Sequence, residues 1–185
     1  MKTIIRNTIV LLALLGAFFQ VNAEQNFIYQ DSVLKGDNGK TAKIFVGVPV
    51  TIKEEMGKNV KVSIKGVMFG DEVYSSKTKE LLVAKVEKGF EVNQKDGNEV
   101  ELVGTLAKEL TSNDPLDVWG EHEEFYFEMC TQCHAGPEVN HHSMMEWEAI
   151  FGTMKGFAKL DEEEASYLLR YLKANSSDGF VKTEH

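Results

Sequence analysis

The tightest constraint in this chain is five residues long: Cys130-Thr131-Gln132-Cys133-His134. Two thiols three positions apart fall on one face of a helical turn, and an imidazole follows directly. Both sulfurs can then bond one planar partner while the imidazole comes under its centre. Haem c meets this arrangement: its vinyl groups take the thiols and its iron takes the histidine. The spacing predicts one covalent haem c, attached at Cys130 and Cys133, with His134 as the proximal iron ligand. Other readings of the cysteine pair are weaker. A redox-active dithiol calls for a βαβ context. Zinc could recruit His141 or His142, but zinc does not require a histidine directly after the second cysteine. A disulfide is the ordinary expectation for two cysteines in an exported chain, and the motif's spacing argues against it.

Export is itself an expectation from the first residues. Lys2 and Arg6 precede an uncharged, mostly apolar run from Ile9 to Phe19, and Val21-Asn22-Ala23 offers small residues where a signal peptidase reads. The run is shorter than the ~20 residues that span a bilayer. A cleaved signal peptide over 1–23 is expected, with cleavage after Ala23, and the mature chain is expected in the periplasm. A net charge of −9 over 185 residues, with no basic patch, argues against a nucleic-acid partner.

The pattern of the mature chain changes near residue 113. Before it, apolar residues alternate. Val48, Val50 and Ile52, then Val60, Val62 and Ile64, predict a β-hairpin turning over residues 54–59. Further strands are expected at Lys43–Val46, Leu81–Val86 and Glu99–Val103, the last after a turn at Asp96-Gly97-Asn98. Short strands with glycine turns predict a small barrel or sandwich. The run from Gly39 through Lys43, Phe45, Val48 and Ile52, with Val60 to Gly66, resembles a bacterial SH3-like domain.

After it, the pattern is helical. Asp114 and Pro115 suit a helix start, with Val118, His122, Phe125, Tyr126 and Met129 on one face. Ser143 and Glu146 form a capping box for a second helix carrying Trp147, Ile150, Phe151 and Met154, with Gly156 as a stop. Asp161 and Glu164 open a third, striped by Ala165, Leu168, Leu169 and Leu172. The expected class is α+β: a signal peptide over 1–23, a β-rich SH3-like barrel over 24–113 and a helical cytochrome c-type haem domain over 114–185. So small a helical domain has little core of its own, and a large apolar cofactor would supply one.

Met154 is the expected distal iron ligand. It follows His134 by 20 residues, enough chain to cross the other haem face, and shares its helical face with Trp147, Ile150 and Phe151. His141, His142, Met144 and Met145 are the alternatives, and a core-filling role for Met154 is the plain one. Two protein ligands leave no open site for substrate, so electron transfer is expected and catalysis is not. The Pro137 carbonyl is expected to accept from His134 and orient it. His122 reads as an ordinary helix residue.

Cys130 to Pro137 (CTQCHAGP), Trp147 to Met154 (WEAIFGTM), Leu160 and Leu168 to Leu172 (LLRYL) together resemble the C-terminal monohaem region of pentahaem cytochromes that serve trimethylamine-N-oxide reductases. The SH3-like stretch before them fits the same resemblance. It implies anaerobic respiration, with a periplasmic molybdopterin reductase of N- or S-oxides as electron acceptor. The sequence shows one haem motif and no anchor, so a separate quinol-linked or cytochrome donor is expected. Residues 114–185 hold 15 acids against five Lys or Arg, net −10, whereas 24–113 hold 14 acids against 13 lysines, net −1. Acid beside the haem suits docking on a basic patch, and equally suits solubility and helix capping. A general electron carrier, or the haem subunit of another respiratory enzyme, is the first alternative. A haem-based sensor or binding module is the second.

Overall fold

A computed structural model describes residues 25–181; the expected signal peptide lies outside the described residues. The β region contains ten strands among the described residues: β1 Asn26–Ile28, β2 Ser32–Lys35, β3 Thr41–Ile44, β4 Pro49–Met56, β5 Asn59–Phe69, β6 Glu72–Tyr74, β7 Leu82–Val86, β8 Val92–Gln94, β9 Glu99–Ala107 and β10 Thr111–Ser112. Three α-helices follow: α1 Pro115–Cys130, α2 Met144–Met154 and α3 Glu162–Ala174. The class is α+β, with a barrel.

The barrel closes because β5 is long enough to serve two neighbours on one edge. Along its other edge it pairs with β9 from Asn59↔Ala107 to Val67↔Glu99. The first edge pairs with β4 through Ser63, then with β6 from Val67 onward. The antiparallel circuit β5-β6-β7-β3-β2-β9 returns to β5, making six strands, with β4-β1-β10 as a side extension and β8 flanking β9. Closure leaves few unpaired edges. Gly66 sits where β5 changes partner; a Cβ there would lie 2.4 Å from Val73 Cγ1 and 2.7 Å from the Tyr74 carbonyl oxygen. Only glycine lets β6 come that close.

Alternation does the rest. Val60, Val62 and Ile64 of β5 point inward to meet Val100, Leu102 and Leu106 of β9. Val48, Val50, Ile44, Leu34 and Val83 complete the core. Each such side chain contributes about 1.5–3 kcal/mol by leaving water. The expected hairpin is present, but its turn is tighter than residues 54–59. Strand pairing runs to Met56↔Asn59 and leaves Gly57-Lys58 as the loop, with Gly57 at φ 67°.

All three helices start on their sequence signals. The Asp114 carboxylate accepts from Leu116 N–H, and both capping boxes form, at Ser143 with Glu146 and at Asp161 with Glu164. The helices do not make a core alone. Phe27 from β1 and Leu81 beside β7 are buried with Val118, Trp119, Tyr126, Trp147, Phe151, Leu168 and Leu172.

Two cations of α3 fasten this core to the barrel. Arg170 donates from Nε (2.9 Å) and Nη2 (2.6 Å) to the Val46 carbonyl and from Nη1 (2.9 Å) to that of Leu82. Burial draws the Arg170 pKa down to about 10, which leaves it charged at neutral pH. Lys173 donates to the Glu80 carbonyl (2.9 Å) and pairs with the Glu148 carboxylate. The Trp119 indole covers Gly47, whose φ is 76°. A Cβ at Gly47 would stand 1.8 Å from Trp119 Cζ2.

His122, on the expected face of α1, belongs to the same seam and is more than an ordinary helix residue. It is 6% exposed, stacks on Tyr167 at 3.7 Å and meets Trp119 edge-on at 5.0 Å. Neither ring nitrogen has a hydrogen-bond partner among the described residues.

Two outcomes are expected. Gly47→Ala combines a disfavoured φ with a collision against Trp119 and should cost roughly 2–4 kcal/mol in chemical denaturation. A loss under 1 kcal/mol would mean the Trp119 contact is not tight. Burial, then the charge of Arg170, lowers the His122 pKa from 6.5 to about 4. The unfolded chain binds a proton between those values that the folded chain refuses, so this stability is full above pH 6.5 and is lost as pH falls toward 4. Between pH 7 and 5 the native protein should lose about 2 kcal/mol more than His122→Phe. Equal losses would remove His122 as the cause.

Candidate haem-attachment site

The C-x-x-C-H motif begins on the last residue of α1. Cys130 closes the helix and is half-buried, while Cys133 and His134 lie beyond it in a bent segment and are exposed. The motif is thus not one continuous helical turn. The bend is fixed locally. Thr131 N–H and Oγ1 both donate to the Phe127 carbonyl, at 3.3 and 2.6 Å, and Gln132 Nε2 donates to that of Glu128 at 2.8 Å. These bonds satisfy carbonyls that the helix end leaves open. Both cysteines are free thiols. Burial pushes the Cys130 thiol above its ordinary pKa.

His134 Nδ1 lies 2.9 Å from the Ala135 carbonyl oxygen. A carbonyl oxygen only accepts, so the contact suits a proton on Nδ1 and leaves Nε2 open. The expected Pro137 contact is not made. The Pro137 carbonyl accepts from the Tyr126 hydroxyl instead, at 2.7 Å, because Tyr126 is buried and its hydroxyl needs a partner. Trp147 meets the same need by donating from Nε1 to the Val139 carbonyl at 2.7 Å. Two aromatic side chains therefore tie down the segment that runs from His134 back to α2.

Cys130, Cys133 and His134 line one cavity of about 330 Å3. Trp147, Ile150, Phe151 and Met154 of α2 line it too, with Leu172 of α3. That volume falls within the range of small-molecule and cofactor sites. Met154 is 37% exposed, so its side chain is not locked in the protein core. The alternative distal residues stand elsewhere. Met144 is buried among helical core residues and Met145 is 67% exposed. His141 pairs with Glu138 at 3.1 Å, and His142 packs edge-on against Trp147 at 5.0 Å. None of the four lines the cavity. Among the described residues no three His, Cys, Asp or Glu side chains converge as a metal-binding group, so His141 and His142 do not join the cysteines as a zinc set would require.

The donor set and the cavity fit haem c: two free thiols, an imidazole with one nitrogen held and the other open, a thioether, and apolar walls. Sequence reasoning passed over Tyr126 as more than a stripe residue and did not single out Phe157, Ala158 or Lys159, which also border the cavity. These three follow the end of α2, in a segment with no periodicity to mark them. A second cleft, about 760 Å3, lies between the barrel and helices α1 and α3, with Lys43, Phe45, His122, Tyr167 and Arg170 on its walls. It shares no lining residue with the first, although both draw on α1.

No family model matches this chain. No solved structure matches it either, so the SH3-like resemblance of the barrel rests on the sequence pattern alone. Among curated proteins, the cytochrome c-type protein TorC of Escherichia coli O157:H7 and that of Escherichia coli strain K12 are each 38% identical to it over 66 residues. Those residues are 36% of this chain and only 17% of either relative. No helix among the described residues is long and apolar enough to cross a membrane. The similarity marks part of this chain as a cytochrome c-related region.

Proposed function

We propose that this protein is an exported monohaem c-type cytochrome that passes electrons to a terminal reductase, a periplasmic molybdopterin reductase of N- or S-oxides. The observation that carries the haem reading is the single cavity bordered by Cys130, Cys133, His134 and Met154. In this reading residues 24–113 form the β domain and 114–185 the haem domain. One haem c, when bound, supplies the Fe(III)/Fe(II) couple. Cys130 and Cys133 hold it by thioether bonds. His134 would bind the iron through Nε2, with Nδ1 held at the Ala135 carbonyl. Met154 would be the second protein ligand, and Trp147, Ile150 and Phe151 would exclude water, which favours the reduced, less charged iron. A histidine–methionine pair raises the potential relative to two histidines.

The reductase assignment rests on the resemblance of the motif region, and the partial similarity to TorC supports the cytochrome c reading beneath it. The acidic excess of residues 114–185 suits a basic docking surface on the partner. The electron donor is a separate quinol-linked protein or cytochrome, and the chain itself has no substrate to turn over.

The reduced holoprotein should be reoxidised when mixed with a molybdopterin reductase and trimethylamine N-oxide, and not when either is left out. Persistence of the ferrous spectrum in the complete mixture would sink the reductase assignment. For the ligand set, Met154→Ala should lower the potential and abolish the iron–thioether charge-transfer band near the red end of the ferric spectrum. An unchanged spectrum would pass the distal role to His141, His142, Met144 or Met145.

A further inference from the structure

Among the described residues two that are not glycine adopt a left-handed backbone, Lys79 at φ 60° and Lys159 at φ 55°. A side chain there costs free energy that glycine avoids, so its retention calls for a use. Lys79 has one: its ammonium lies over the Phe69 ring at 4.2 Å and near the Tyr74 ring at 5.9 Å. Lys159 forms no ion pair or ring contact with another described residue, yet it borders the cavity of Cys130, Cys133, His134 and Met154.

The charge around that cavity is selective. Residues 114–185 hold three times as many acids as Lys and Arg, 15 against five. Of the residues lining the cavity, none is Asp or Glu, and Lys159 alone is Lys or Arg. The acids next in sequence are turned to other work. Asp161 caps α3 by accepting from Glu163 and Glu164 N–H, and Glu164 accepts from Asp161 N–H. An apolar cavity with one cation at its edge, unpaired among the described residues, suits a flat apolar group that carries an anion.

We propose that Lys159 pairs with a propionate carboxylate of the haem and acts as a positioning residue that also sets the potential. The inference rests on the haem reading of Cys130 and Cys133. A cation beside the haem opposes the extra positive charge of Fe(III), so its removal favours the oxidised form. Lys159 stands in the turn after α2, two residues before Asp161 caps α3.

The test uses the full chain matured with haem, as native protein, Lys159→Gln, Lys159→Arg and Lys159→Gly. Covalent haem is measured by pyridine haemochrome and the couple by redox titration at low and high salt. Lys159→Gln should keep one haem and the thioether–iron band while its oxidised-to-reduced ratio at a fixed ambient potential rises severalfold. Lys159→Arg should restore the native ratio. Lys159→Gly should match Lys159→Gln in ratio while unfolding at a higher temperature, since glycine relieves the backbone; it also keeps the test open if the glutamine variant fails to fold. Native ratios in both the glutamine and glycine variants, with haem intact, would overturn the role of Lys159. Absence of covalent haem from the native protein would instead overturn the haem reading.

Discussion

The guanidinium of Arg170 is the contact on which the relation between barrel and helices depends. It reaches from α3 to two carbonyls on different parts of the barrel wall, Val46 after β3 and Leu82 at the start of β7. A buried carbonyl without a donor costs about 1–3 kcal/mol, so the two partners hold each other in place. The planar fork also fixes direction: three N–H groups bonded to two acceptors leave little freedom to twist. Lys173, one turn later on α3, repeats the device with the Glu80 carbonyl. With α3 held, the aromatic seam of Trp119, His122, Tyr167 and Tyr171 can close, and Trp119 can settle on Gly47.

The cavity inherits its shape from this arrangement. Tyr171 lies 6.1 Å from Tyr126, and Tyr126 lies 6.4 Å from Trp147, so the ring contacts run from the barrel seam to the cavity wall. The Tyr126 hydroxyl then fixes Pro137, and the Trp147 indole fixes Val139. The segment after Cys133 has no regular structure except a short turn at Val139–His141, yet its course is set at both of these points. Two aromatic hydroxyl or indole donors thus do for this loop what backbone ladders do elsewhere.

Sequence reading succeeds where the signal is local. A capping box needs only two residues three apart, and both are formed, at Ser143 and at Asp161. Alternation over Val60, Val62 and Ile64 needs only one strand, and all three side chains are buried. What stayed hidden is long-range. β1, β2, β6, β8 and β10 are two to four residues long, too short to show a period. Trp119 was absent from the expected stripe of α1 because its reason to be buried is Gly47, 72 positions earlier. His122 looked ordinary because its environment comes from α3 and the barrel. The placement of Met154 with the cysteines on one cavity, and of His141 and His142 away from it, follows from the path of residues 134–143, which carries no periodic pattern.

The second core has a further consequence. Phe27 from the start of the described chain and Phe180 from near its end both pack against the helices. A fragment cut at residue 114 would lose Phe27 and Leu81, and would leave Arg170 and Lys173 without the carbonyls they bind. The helical region is therefore not a detachable module. Its hydrophobic interior is assembled from strands threaded far upstream, so any transplant of the motif onto another scaffold has to bring a stretch of barrel wall with it.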